Sequence, residues 1–144
     1  MSIHISDLPL EYQRQALATL QKQTKPAKHH NEKVTTQSGL KFDSKLEERR
    51  FNVLALQLAA GNISELKLQP EFTIQEAYTT PEGKRIRAIR YRADFSYYRD
   101  DALVVEDTKS AHTRKLPVYR MKSKLMQERL GITIREILNA DQPI

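Results

Sequence analysis

Residues Tyr91 to Ser110, YRADFSYYRDDALVVEDTKS, alternate in residue type on either side of Asp100-Asp101. They predict two strands joined by a two-residue loop, although Asp-Asp is a weaker turn signal than Asn-Gly or Asp-Gly. If Arg99 faces Ala102, the pairing runs backwards with constant sum and sets Asp94 opposite Asp107, and a four-residue loop gives the same register. Residues paired in this way share a face with Cβ atoms about 4.5–5.5 Å apart, and like charges so placed repel unless something neutralises them. A divalent cation does that. By the period of two, Lys109 joins the face of Asp107, while Glu106 and Thr108 point to the other side. Slipping the hairpin by one residue would turn Glu106 inward in place of Asp107; the two-residue loop favours Asp107. Hard oxygen ligands without sulfur or a nearby histidine pair suit Mg²⁺ or Mn²⁺ better than Zn²⁺.

An acidic residue near the end of one strand, Asp94, followed by Asp107-Thr108-Lys109 on the next, resembles the PD-(D/E)XK nuclease superfamily. Ala93 stands where the family name has proline. The segment also resembles a phage-encoded branch with members described as Holliday-junction resolvases, as does FDSKLEERRF, residues 42–51, with the early helix of that branch. The resemblance implies a restriction-endonuclease-like α/β fold: an α-β-β-β-α-β core with a central mixed sheet flanked by helices, plus an extra N-terminal helix. It implies a metal-dependent endodeoxyribonuclease with Asp94, Asp107, Lys109 and Glu47 as catalytic residues. Asp94, Asp107, Glu47 and the Thr108 carbonyl would hold the ion. The implied partner is double-stranded or branched DNA, in the cytoplasm of a host cell if the protein is phage-encoded. Resolving a junction needs two active sites and therefore a homodimer.

The 144 residues make one ordinary domain, and a membrane span of about 20 apolar residues is nowhere present. With no cysteine, disulfides, thiolate nucleophiles and cysteine-ligated zinc are excluded. The start, MSIHISDLP, lacks the pattern of a secretion signal, which predicts a soluble cytoplasmic protein. Twenty-four Lys and Arg against eighteen Asp and Glu leave a net charge of +6, which favours a polyanionic partner.

Two segments are expected: residues 1–33 as an N-terminal helix and basic linker, and residues 34–144 as the catalytic domain. A helix capped by Ser6 or Asp7 and reaching about Lys22 carries a thin stripe of Leu10, Ala16, Leu17 and Leu20, which predicts a peripheral position. That stripe is also a candidate dimer contact. The basic stretch after Gln23 reads as a linker that could lie along DNA, and adjacent His29-His30 do not converge readily on one ion. Val34 to Phe42 predict a short hairpin around Ser38-Gly39. The main helix starts at Ser44 and ends before Gly61, with Phe51, Leu54, Ala55 and Leu58 at core spacing. One turn earlier lies Glu47, which either faces the reactive end of the sheet or closes a capping box with Ser44.

Ser64 to Ala77 predict a strand interrupted at Pro70, and Lys84 to Tyr97 a longer one. On the latter, Ile89, Tyr91, Ala93 and Phe95 share one face, while Arg90 and Arg92 share the other with Asp94. Those arginines would contact phosphates, or else steady the carboxylates as ion-pair partners. Pro117 opens a second helix with Val118, Met121, Leu125 and Met126 inward; Lys122 and Lys124 lie outward as candidate DNA contacts. Ile132, Ile134 and Ile137 mark a last strand, followed by a tail. An alternative to the nuclease is a nucleic-acid-binding or partner-binding protein without catalysis on the same fold.

Overall fold

The computed structural model describes residues 9–14, 33–36 and 39–144. The linker, His29-His30, Ser38 and most of the predicted first helix lie outside the described residues. Within them, ten strands and two long helices follow one another. A short antiparallel pair, β1 (Val34–Thr35) and β2 (Lys41–Phe42), leads into α1 (Lys45–Ala59). Then come β3 (Ser64–Leu68), β4 (Glu71–Gln75), β5 (Tyr78–Thr79), β6 (Arg85–Ile86), β7 (Ile89–Arg92), β8 (Phe95–Arg99) and β9 (Ala102–Thr108). A 3₁₀ turn at Thr113–Lys115, α2 (Pro117–Leu130) and β10 (Arg135–Ile137) complete the order.

The central sheet runs β10-β9-β8-β3, with β10 parallel to β9 and the other pairs antiparallel. It is therefore the mixed sheet of an α/β fold, with a helix on each face. Phe51, Leu54 and Ala55 of α1 pack with Leu66, Phe95 and Tyr97 on one side. Tyr119 and Met126 of α2 pack with Ile74, Tyr91, Ala93 and Val105 on the other. Each large apolar side chain so buried contributes about 1.5–3 kcal/mol of transfer free energy.

The hairpin has the expected register, Phe95 against Glu106 through Arg99 against Ala102. Asp100 (φ 49°) and Asp101 (φ 63°) both take the left-handed conformation that a tight two-residue loop requires, which aspartate tolerates better than most residues.

The strand expected from Lys84 to Tyr97 is instead broken into β6, β7 and β8. Pro70 has no N–H to donate, and the chain opposite it leaves the ladder at Ala93 and Asp94. Gln69 N donates to Asp94 O (2.8 Å) and Ala93 N to Pro70 O (3.0 Å), so both strands bend at one level. The bend interrupts the period of two. Tyr91 and Ala93 face α2, whereas Phe95 faces α1, so the four residues expected on one face divide between two.

Three further expectations change. Tyr12, within a helical stretch at residues 10–14, is buried in the α1 core, while Leu10 is 75% exposed. The described part of this segment is docked rather than peripheral, through the ring of Tyr12; Ala16, Leu17 and Leu20 lie outside the described residues. In α2 the buried residues are Tyr119 and Met126, with Val118 and Met121 exposed. The helix is turned because Tyr119 fills the space beside Tyr91, ring centroids 6.4 Å apart. Finally, the tail is fastened: Arg50 donates to the carbonyls of Ala140 (2.9 Å) and Gln142, Arg135 to Pro143, and Arg99 to Ile144. No described helix is long and apolar enough to cross a membrane.

Candidate functional site

The bend delivers Asp94 to the mouth of the β8–β9 hairpin. Asp94 N donates to Glu106 O (3.2 Å), extending the strand pairing by one step. Asp94 Oδ2 accepts from both the backbone N–H (2.7 Å) and the hydroxyl (2.6 Å) of Thr108. Thr108, expected from the period of two to point away with Glu106, instead turns its hydroxyl to Asp94 at the end of β9, where the bend at Asp94 brings the carboxylate within reach of both its N–H and its side chain. Asp94 and Asp107 also stand within hydrogen-bond reach of one another. Burial, then the charges of Asp107 and Glu47, hold the Asp94 carboxyl well above the usual range, with Thr108 pulling the other way. The surroundings thus favour a proton on Asp94.

Asp107 is 4% exposed. Its Oδ2 accepts from the Tyr91 hydroxyl and lies 3.1 Å from Lys109 Nζ. Burial, and then the Asp107 charge, push the Tyr91 phenol far above its ordinary value, which keeps it a proton donor. Lys109 is held from three directions: its backbone N donates to Ile137 O (2.9 Å), its ammonium meets Asp107, and that ammonium lies 4.3 Å from the Tyr119 ring centroid. Tyr119 is itself oriented by its hydroxyl bond to Glu136 (3.0 Å), which pairs with Arg114 (2.9 Å).

Glu106 takes no part in this face. It is fully buried against α1, where Arg50 Nε and Nη2 meet its two oxygens at 2.8 and 2.6 Å and the Tyr97 hydroxyl adds a third bond at 2.7 Å. A bidentate guanidinium satisfies both oxygens of a buried carboxylate. Asp107 therefore occupies the Asp94 face and Glu106 the opposite one.

Glu47 bonds the backbone beside the Ser44 cap and lies near the acids. Ser44 Oγ accepts from Glu47 N (3.1 Å), and Glu47 Oε2 accepts from the N–H of Asp43 (2.9 Å), one residue before the position a regular capping box would use. Burial raises its carboxyl to about 7; the Asp43 N–H opposes this, the Asp43 and Asp107 charges add to it, and the Gln69 side chain opposes it. Glu47 feels the charge of Asp107, and Asp94 that of Glu47.

A cleft of about 430 Å³ opens here, lined by Asp43, Gln69, Tyr91, Arg92, Asp94, Asp107, Lys109, Tyr119 and Lys122 among others. Of the four cations expected at the site, Arg92 and Lys122 line it. Arg90 is drawn aside to Glu71 (3.2 Å), so its carboxylate partner is on β4 and not in the cluster. Lys124 is exposed and does not line the cleft, because two positions along a helix turn a side chain to nearly the opposite side. Sequence reasoning missed Asp43, Gln69, Tyr91 and Tyr119 as neighbours of the acids. Asp43 carried a local signal, standing immediately before the Ser44 cap; the others depend on the bend and on the rotation of α2.

Among the described residues no three His, Asp or Glu side chains stand close enough together to grip an ion as they are arranged. The oxygens of Asp94 and Asp107 are instead held by Thr108, Tyr91 and Lys109. The donor set is nonetheless wholly oxygen, mutually repelling and open to a cleft, which suits a hard divalent cation.

No curated protein matches the chain. A family model described as "Protein of unknown function (DUF1064)" matches residues 26–138, which span every strand and both long helices as well as the cleft residues. By that match the chain belongs to the DUF1064 family.

Proposed function

We propose that the protein is a divalent-metal-dependent endodeoxyribonuclease with Asp94, Asp107, Glu47 and Lys109 at its reactive centre. One observation carries this reading: the half-buried Asp94 and the buried Asp107 meet at one end of adjacent strands, and a lysine pinned 3.1 Å from Asp107 lines the same cleft. The lysine offsets one of the two negative charges, and the second favours a proton or a further cation. The carboxylates of Asp94, Asp107 and Glu47, with the Thr108 carbonyl, would hold Mg²⁺ or Mn²⁺. When bound, the ion supplies polarisation of a phosphoryl oxygen and a water of lowered pKa.

The remaining chemistry belongs to the chain. Lys109, kept in place by Tyr119 and β10, offsets the negative charge that grows on the phosphate as water adds and one ester bond breaks. Arg92 and Lys122 grip flanking phosphates and give binding that weakens as salt rises. Tyr91 and Thr108 hold Asp107 and Asp94 in the orientation from which they exchange protein donors for the ion. Double-stranded or branched DNA as the substrate, and a dimer to cut a junction on both sides, are carried by the resemblance to junction resolvases.

A second reading is favoured by the same carboxylates being already supplied with protein donors: a nucleic-acid-binding protein that needs no cation. The two are separated by incubating the protein with linear, single-stranded, flap and four-way DNA in Mg²⁺ or Mn²⁺, beside the variants Asp107→Asn and Lys109→Ala. The nuclease reading predicts cleavage that both variants abolish while binding persists. Cleavage at an unchanged rate in the variants contradicts the assignment of the site; no cleavage of any substrate favours the second reading.

A further inference from the structure

Between the bend at Pro70 and Asp94 the chain runs out and back as one two-stranded ribbon; Tyr91 and Arg92 at its base belong to the site just described, and its outer half has no place in that reaction. Phe72 pairs with Tyr91 and Thr73 with Arg90; after an irregularity at Gln75, Tyr78 pairs with Ile86 and Thr79 with Arg85. The turn is tight, closed by Thr80 N to Lys84 O (2.9 Å) and Gly83 N to Thr80 O (2.9 Å), with Gly83 at φ 87°. At about 3.3 Å per residue the ribbon is roughly 25–30 Å long from Glu71 to its tip.

Its outer half is bare. Neither β5 nor β6 has a buried residue, and Tyr78 is 49% exposed. Lys84, Arg85 and Arg87 are all exposed, and among the described residues no ion pair engages them. Glu82 is the single acid between Ala77 and Arg92, against Lys84, Arg85, Arg87, Arg90 and Arg92. The outer half of the ribbon covers no core, and whereas Arg90 pairs with Glu71 and Arg92 lines the cleft, Lys84, Arg85 and Arg87 form no ion pair among the described residues. A polyanion supplies the countercharge.

We infer that the ribbon formed by β4–β7 and β5–β6 is a second nucleic-acid contact, entering a groove of duplex DNA through Lys84, Arg85 and Arg87. The shape selects the duplex over other polyanions. Two strands lie about 4.8 Å apart, and the major groove, about 12 Å wide, admits a two-stranded ribbon with its side chains. The charge is carried by a narrow projecting element, whereas an anionic membrane is met better by a broad face. Because β7 ends at Arg92, two residues before Asp94, a ribbon seated in a groove also sets where the candidate site falls along the backbone.

The inference builds on the nuclease reading but is tested apart from it, by binding in the uncleaving background Asp107→Asn. The triple variant Lys84→Ala, Arg85→Ala, Arg87→Ala is compared with a control that loses equal charge elsewhere, Lys41→Ala, Arg49→Ala, Lys67→Ala. Affinity for a duplex and for a single strand of the same length is measured over a range of salt. The ribbon triple is expected to weaken duplex binding about 10-fold or more and to flatten the salt slope by about 2–3, with a smaller loss on the single strand. Its thermal midpoint should match that of its parent.

Equal loss in the control triple, equal loss on the single strand, or unchanged duplex affinity would each overturn the groove contact and leave the cleavage reading standing. So would a ribbon triple that keeps its DNA affinity but loses binding to anionic lipid vesicles. A parent that binds no DNA removes both readings together.

Discussion

Asp94 Oδ2 accepts two hydrogen bonds from Thr108, one from its N–H at 2.7 Å and one from its hydroxyl at 2.6 Å. The acid at the start of one strand is thereby fastened to the residue between Asp107 and Lys109 on the next. Thr108, expected only as a carbonyl donor, is the brace that keeps the two acids at one end of the hairpin.

Replacing Thr108 by valine keeps the branched shape and removes the hydroxyl bond while sparing the backbone bond. The expected loss is about 1–2 kcal/mol of folding stability, read by urea denaturation, with the fold retained. A variant as stable as the wild type would mean that the hydroxyl bond to Asp94 contributes nothing.

Arg50 and Glu106 form a buried bidentate pair behind the site, and Arg50 also holds the tail at Ala140 and Gln142. Breaking it on one side, as in Arg50→Met, leaves the buried carboxylate with only the longer Arg135 contact at 3.5 Å and the Tyr97 hydroxyl, and should cost about 3 kcal/mol. Removing both charges, Arg50→Met with Glu106→Leu, should recover part of that. Chemical denaturation of the two variants checks the order; a double variant weaker than the single would contradict it.

Glu47 sets a pH dependence whose sign follows from its raised carboxyl. Its folded value is about 7 against an ordinary 4.5, so between these the folded state keeps a proton that the unfolded chain has released. Its contribution to stability is full below about 4.5 and is lost as pH rises through about 7. Asp94, also raised, acts in the same direction. In the presence of a chelator, the melting temperature of the wild type relative to Glu47→Gln should therefore fall between about pH 5 and about pH 8. A difference that grows with pH over that window would contradict the environment assigned to Glu47.

Tyr91→Phe removes the hydroxyl donor from Asp107 without emptying the space beside Tyr119. If Asp107 must be held for the reaction, cleavage should slow about 10-fold or more while the KM for DNA stays near the wild-type value. A rise in KM alone would place Tyr91 in substrate binding instead.

The register of the β8–β9 hairpin was legible because it depends on local chemistry. A two-residue loop admits one pairing, and alternation then dictates which residues share a face. The start of α1 was legible for the same reason, Ser44 to Glu47 being the four residues of one turn. What could not be read arises from distant contacts. Nothing near Glu106 announces Arg50, 56 positions away, although that partner is what consigns Glu106 to the far face. The strand containing Tyr91 alternates without a visible flaw, and its break is set by Pro70 on the neighbouring strand. Following the period of two through Ala93 therefore put Arg90 and Arg92 beside the acids, where Tyr91 and only one of those arginines are found. The face of α2 was misjudged by counting aliphatic residues, when the site fills that space with Tyr119.

The account rests on Asp94 and Asp107 sharing a divalent cation. Titration calorimetry with Mn²⁺ at about pH 8, where Glu47 is deprotonated, measures this on the wild type and on Asp94→Asn and Asp107→Asn. The account predicts saturable binding by the wild type that either substitution weakens about 10-fold or more. Binding unchanged by both substitutions, or no binding by the wild type with and without duplex DNA, would contradict it.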